Sequence, residues 1–109
     1  MAPSLEKIRK RSTFVMVRTK GELFHGKGMN VQFLQDQKLN RSIFVGFTAT
    51  KKIGSAVKRN KAKRIMRELA RKVIAKYGKI NSYYVLIAKE PIFEIPFRSQ
   101  EIELKELIS

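Results

Sequence analysis

Two kinds of side chain in this sequence could do chemistry: a few acids and one histidine that could handle protons or metal, and a dense set of cations that could neutralise a polyanion. The first kind is thin. His25 is the sole histidine and Asp36 the sole aspartate, so a nuclease mechanism built on two histidines has no second member. Glu101, Glu103 and Glu106 come closest to a metal-ligand set, but the step of two from Glu101 to Glu103 is poor spacing for a shared helix face. There is no cysteine, which removes thiolate metal sites, cysteine nucleophiles and disulfides together and suits a reducing compartment. His25 reads as an ordinary loop residue and the glutamates as a solvated helix face. No catalytic residue and no tightly held metal is expected.

The second kind is abundant. The 24 Lys and Arg against 9 Asp and Glu leave +15 at pH 7, far beyond what solubility requires. Met1 to Lys89 holds 22 basic and 4 acidic residues (+18), whereas Glu90 to Ser109 holds 2 and 5 (−3), so the binding surface belongs to the first four-fifths. An excess of this kind points to nucleic acid.

The densest stretch predicts a helix. Ala62, Ile65, Met66, Leu69, Ala70, Val73, Ile74 and Tyr77 recur at steps of three and four and form one apolar stripe. Asn60, Lys63, Arg64, Arg67 and Arg71 fall within a narrow arc on the opposite side. Between Lys58 and Tyr77 nine bases meet a single acid, Glu68. Cations this close repel one another, and a phosphate backbone is the counter-charge that relieves them. Lys51, Lys52, Lys58, Arg59 and Lys61 gather where the chain turns into the helix, whose free N–H groups also favour anions. The ridge supplies charge and donors without an aromatic reader, so it positions a nucleic acid rather than reading its bases.

Other partners fit less well. A sequence-specific DNA binder needs a helix-turn-helix or an arm-and-helix arrangement, and here the basic helix follows a strand directly. A membrane surface needs large apolar groups opposite the charges, but that stripe is needed for the core. No apolar run approaches the roughly 20 residues that span a bilayer, and Met1 to Arg11 lacks the apolar core of a secretion signal. A soluble cytoplasmic protein with neither membrane nor DNA as partner is expected.

The elements that must position the ridge follow from punctuation and period. Ser12 and Thr13 are candidate N-caps of a first helix that Gly21 stops. Met29 to Leu34 reads as a strand, Gln35 to Arg41 as a polar turn, and Ser42 to Thr50 as a half-buried strand with Ile43, Val45, Phe47 and Ala49 on one face. After the basic turn Lys51 to Gly54 the long helix runs from about Ser55 to Tyr77, and Gly78 ends it. Ser82 to Ala88 is nearly all apolar, as in a central strand covered on both faces. Pro91 and Pro96 bracket an irregular connection, and Leu104, Leu107 and Ile108 predict a closing helix after Ser99. The order is α, β, β, α, β, α, with room for another short strand near Gly26 to Leu34, in one domain spanning 1–109.

The segment Lys51-Lys52-Ile53-Gly54-Ser55-Ala56-Val57-Lys58-Arg59-Asn60-Lys61-Ala62-Lys63-Arg64-Ile65-Met66-Arg67-Glu68 resembles the signature of the bacterial ribonuclease P protein family, K-K-x-G-x-A-x-x-R-N-R-x-K-R-x-x-R-E. Lys61 departs from it, keeping the charge but lacking the planar fork of arginine. Arg9 to Gly21 resembles the family's first helix, Val45-Gly46-Phe47 its strand and Tyr84 to Lys89 its last strand. The resemblance implies an α+β fold, a two-layer αβββαβα sandwich like a domain of a small-subunit ribosomal protein, with the basic helix making a left-handed βαβ crossover. It assigns Arg59, Asn60, Lys61, Lys63, Arg64 and Arg67 to the face that meets a catalytic RNA, beside Lys51, Lys52, Lys58 and Arg71.

It also implies a cleft between the first helix and the sheet that holds the 5′ leader of precursor tRNA. Single-stranded RNA is commonly held by aromatics beside positive charge. That cleft would comprise Arg9, Lys10, Arg11, Phe14, Arg18, Gln32 and Phe33. Arg18 stands where a second Phe is common in the family; Gln32, or Phe33 if the register slips by one, stands where an aromatic is usual. The resemblance further implies an accessory subunit of an endonuclease that matures tRNA 5′ ends. The hydrolysis would be carried by the RNA, and Mg²⁺, required by the assembled enzyme, would be held mainly by RNA and substrate. A ribosomal or other structural RNA-binding protein is the alternative, and the signature around Asn60 argues against it.

Overall fold

Near-continuous apolar content at Ser82 to Ala88 requires burial on both faces, and the sheet provides it. The computed structural model describes residues 5–109; the first four residues of the expected domain, 1–109, lie outside the described residues. In chain order the elements are β1 (Leu5–Lys7), α1 (Arg11–Lys20), β2 (Glu22–His25), β3 (Met29–Gln35), β4 (Ile43–Thr48), α2 (Ala56–Leu69), α3 (Ala75–Tyr77), β5 (Ser82–Ala88) and α4 (Phe97–Ile108). The strands form one sheet in the order β1-β4-β5-β3-β2, which puts β5 in the middle. β4 and β5 are parallel and joined through α2, as a βαβ unit requires. β1 adds parallel to β4, while β3 runs antiparallel to β5 and to β2. After β1, the order is the αβββαβα expected for this α+β fold.

Strand alternation sends two sets of side chains to opposite faces. On one face Val31, Ile43, Tyr84 and Leu86 pack with Ala62, Met66, Leu69, Ile74 and Leu104 from the helices α2 and α4 and the turn between α2 and α3. On the other, Ile8, Val17 and Val85 gather with the partly buried Phe14, Leu34, Phe44, Tyr83 and Ile87. α1 lies over this second face, pinned by the fully buried Val17. No helix among the described residues is long and apolar enough to cross a membrane.

The entry into α2 is built by three residues. Gly54 takes φ +131°, a region that glycine reaches without steric cost. Ser55 caps the helix, its Oγ accepting the Lys58 N–H at 3.3 Å. The Arg59 guanidinium donates from Nη1 to the Gly54 carbonyl oxygen at 2.8 Å.

Several expectations are corrected. β1 is absent from the expected order, which starts with a helix; its short run Leu-Glu-Lys carries almost no apolar signal, and backbone pairing to β4 makes it a strand. The extra strand lies at Glu22–His25, before Gly26 rather than after it, and the Gly26 N–H closes the turn onto the Met29 carbonyl at 3.0 Å. His25 therefore ends a strand and is not a loop residue. α1 begins after Lys10, which is extended and offers no side-chain cap, so Ser12 and Thr13 lie inside the first turn. α4 starts at Phe97, directly after Pro96, rather than after Ser99. Tyr77 leaves the apolar stripe and is 41% exposed. Between α2 and α3 the helix contains a π turn, Ala70–Ile74, whose extra residue rotates everything after it away from the core seam.

Candidate nucleic-acid interface

The apolar stripe fixes where the cations can go. Because Ala62, Met66 and Leu69 are fully buried, α2 cannot rotate, and Asn60, Arg64, Arg67 and Arg71 are held exposed on its outer side. Lys63 flanks them half-buried, while Lys51, Lys52, Lys58 and Lys61 are exposed around the helix start.

Their states differ. Arg71 is taken up by Glu68, with Nη2 to Oε2 at 2.8 Å. The hydrogen bond and charge of Arg71 hold the Glu68 carboxyl below its ordinary range, and the same contact pushes the Arg71 guanidinium up. Arg59 is tied to the turn below it, and Lys61 places its Nζ 5.7 Å from the centroid of Phe93. Arg64 and Arg67 have no ion pair or hydrogen-bond partner among the described residues. They are therefore free to meet an outside anion, as are Lys51, Lys52, Lys58 and Lys63, whose side chains likewise have no partner among the described residues.

The second face carries the other expected set. Phe14 is half-buried, and its ring lies directly on Gly46 of β4: a Cβ at Gly46 would stand 2.5 Å from Phe14 Cε1. The missing side chain is what admits the ring. Arg11 and Arg18, three residues before and four after Phe14, lie exposed on the same side of α1. Arg9 and Lys10 are exposed on the approach to the helix.

Gln32 and Phe33 cannot share a face, because neighbours in a strand point opposite ways. Gln32 pairs across the sheet with Val85 and so belongs to the α1 face. Phe33 is corrected: it belongs to the opposite face, where its ring meets Tyr84 at 5.1 Å and the Nζ of Lys79 stands 5.8 Å from it.

Two aromatics of the α1 face escaped the sequence reading. Phe44 and Tyr83, direct partners across the parallel β4–β5 pair, bring their ring centroids to 5.7 Å. The signal was present in the strand period: if Ile43, Val45 and Phe47 face one way, Phe44 faces the other. Burial, with a smaller effect from Asp36, raises the pKa of the Tyr83 hydroxyl, so it stays a neutral donor.

The acids serve structure. Glu103 Oε1 accepts the Lys27 N–H at 2.9 Å, tying α4 to the β2–β3 turn, and Glu101 Oε2 stands 3.5 Å from Arg98 Nη1. Among the described residues no group of three His, Cys, Asp or Glu side chains could hold a metal ion.

The family model for ribonuclease P matches residues 2–109. This chain belongs to the ribonuclease P protein family. A relative named ribonuclease P protein component, from Caulobacter vibrioides strain NA1000, is 42% identical over 84 residues, which cover 77% of this chain and 56% of that relative. The match thus spans little more than half of that relative's length. Another of the same name, from Bartonella quintana strain Toulouse, is 35% identical over 106 residues, covering 94% of this chain and 80% of the relative. Among solved structures, the RNase P protein of Thermotoga maritima superposes with a TM-score of 0.79 at 24% identity, over 94% of each chain. That of Staphylococcus aureus gives 0.76 at 24%, over 93% of this chain and 90% of that one. At such identities the structural likeness speaks for the fold alone.

Proposed function

We propose that this chain is the RNA-binding protein subunit of ribonuclease P, which promotes RNA-catalysed removal of the 5′ leader from precursor tRNA in the cytoplasm. The observation that carries the reading is the pair of cations Arg64 and Arg67, held on the outer side of α2 without a partner among the described residues and set among Lys58, Lys63 and Asn60 on a helix whose only acid is already held by Arg71. Such a ridge is complementary to phosphate and carries little base information, as suits a partner recognised by its folded backbone. The catalytic RNA is assigned to it.

The leader is assigned to the α1 face. Phe14, Phe44 and Tyr83 supply aromatic surface there, Gln32 supplies an amide, and Arg11 and Arg18 supply charge. In this reading Arg18 neutralises leader phosphate.

The described residues do not fit a resident Mg²⁺. Its acids are dispersed, and the ridge repels a divalent cation. Mg²⁺ is accordingly given to RNA and substrate, and the chain's part is to bind, to orient and to screen repulsion between two RNA molecules.

The test is reconstitution at low Mg²⁺ with the ribonuclease P RNA and a precursor tRNA. Cleavage at the leader junction that neither protein nor RNA gives alone is expected. Cleavage by the protein alone, or no stimulation at any ratio, overturns the proposal.

A further inference from the structure

The ridge looks purely electrostatic from the sequence, but one of its flanks is not. Ile65, which belongs to the apolar stripe, is left half-buried at its margin. Opposite it stands the half-buried Phe97, brought there because α4 starts directly after Pro96 and packs beside α2. Ile65 and Phe97, with Lys61, Arg64 and Glu68, line an open hollow of about 280 Å³. Its floor is apolar and Lys61 and Arg64 stand on its rim; outside the hollow, Lys72 holds its Nζ 5.5 Å from the Phe97 centroid. The one acid on the rim, Glu68, is neutralised by Arg71 at 2.8 Å.

We propose that this hollow seats an unpaired base of the RNA that lies along the ridge, stacked on Phe97 with its flanking phosphates on Arg64 and Lys72. The inference rests on the ridge being an RNA surface, and it adds a nucleotide-binding subsite to it. An aromatic ring beside cations is the combination that takes single-stranded bases without reading sequence. The rim is continuous with the ridge through Arg64, so a backbone bound there runs past the hollow. The neighbouring hollow at Phe93 is different: Glu90 and Glu94 line it, and their carboxylates repel phosphate. The subsite is therefore confined to Phe97.

The chain contains no tryptophan, so Phe97→Trp installs a single reporter that keeps the platform. Titrating this variant with ribonuclease P RNA should quench its fluorescence through base stacking, with affinity close to that of the parent protein. Phe97→Leu, which keeps an apolar side chain and removes the flat ring, should weaken RNA binding about tenfold. The slope of affinity against salt should stay unchanged in Phe97→Leu, because no charge is lost.

An unquenched Trp at saturating RNA overturns the subsite. So does a Phe97→Leu variant that is folded by circular dichroism and binds like the parent; the hollow would then belong to a protein partner. Neither result touches the ridge, which fails separately if loss of Arg64 and Arg67 leaves affinity and salt slope intact.

Discussion

Replacing Arg64 and Arg67 together by alanine isolates the charge of the ridge from its architecture. Both side chains are exposed and have no partner among the described residues, so their loss strands no buried group. Alanine is also the best helix former, so α2 should hold its shape. The effect should fall almost wholly on RNA. Each neutralised phosphate contributes about 0.7 to 0.9 to the slope of log affinity against log salt, so losing two contacts should flatten that slope by about 1.5. At about 0.15 M salt the same relation predicts roughly a twentyfold weaker complex.

The assay is equilibrium binding of labelled ribonuclease P RNA across a salt series spanning about 50 to 400 mM, well on either side of physiological screening. The control removes the same net charge elsewhere, with Lys27→Ala and Lys38→Ala, from two exposed turns away from α2. It should leave the slope nearly unchanged. If the control flattens the slope as much as the ridge variant, the protein binds by overall charge. If neither does, cations on α2 do not meet RNA, and the reasoning from their lack of partners fails.

Glu68→Gln releases Arg71 from its 2.8 Å ion pair, so RNA affinity should rise about fivefold and the salt slope should steepen by about 0.8; an unchanged slope would mean that Arg71 lies outside the interface. Gly46→Ala puts a methyl 2.5 Å from the Phe14 ring, which should lower stability by about 1 to 3 kcal/mol in urea unfolding and reduce discrimination between precursor and mature tRNA. A fully stable variant would mean that Phe14 moves off without consequence. Burial raises the pKa of the Tyr84 hydroxyl, so the fold favours the neutral form, and the stability it contributes is complete below the ordinary tyrosine pKa of about 10 and lost as pH rises above it. Tyr84→Phe should weaken that alkaline loss while lowering stability at pH 7 by about 1 kcal/mol, because the Lys79 N–H loses its 2.9 Å acceptor; urea midpoints at neutral and alkaline pH test both signs.

The parts of the molecule legible in the sequence were those where one periodic signal dominates. The stripe from Ala62 to Ile74 fixed both the core face of α2 and, by exclusion, the ridge; Ser82 to Ala88 announced the middle strand by being apolar throughout. What was missed lacked such a signal. β1 exists through backbone pairing with β4, and a three-residue edge strand offers side-chain pattern too little length to work on. Tyr77 obeyed the period of an ideal helix, but the π turn at Ala70–Ile74 shifted the phase before reaching it. Phe33 carried the right chemistry at the wrong parity, while Phe44 and Tyr83 had the right parity but only register could bring them together. Phe97 is a different case: its closeness to Ile65 depends on how α4 docks against α2, which no local pattern encodes.

The same rigidity that presents the ridge makes it a burden on the free protein. Lys58–Lys61, Arg59–Lys63, Lys61–Arg64, Lys63–Arg67, Arg64–Arg67 and Arg67–Arg71 are like-charge pairs three or four residues apart, and the buried stripe keeps α2 from rotating to separate them. At roughly 0.2 to 0.5 kcal/mol each, partly offset by Glu68, these pairs should destabilise the isolated fold by about 1 to 2 kcal/mol at low salt. Sodium chloride screens that repulsion, so the free protein should become more stable as salt rises over the same range in which its complex with RNA becomes weaker. Opposite signs for one protein, read by urea unfolding and by RNA binding, distinguish a ridge that needs an external anion from one balanced within the fold. Arg64→Ala with Arg67→Ala removes four of the six pairs and should flatten both responses together. Stability that is indifferent to salt in the parent protein would mean that the cations are already compensated, and the proposal of an RNA-facing ridge would lose its physical basis.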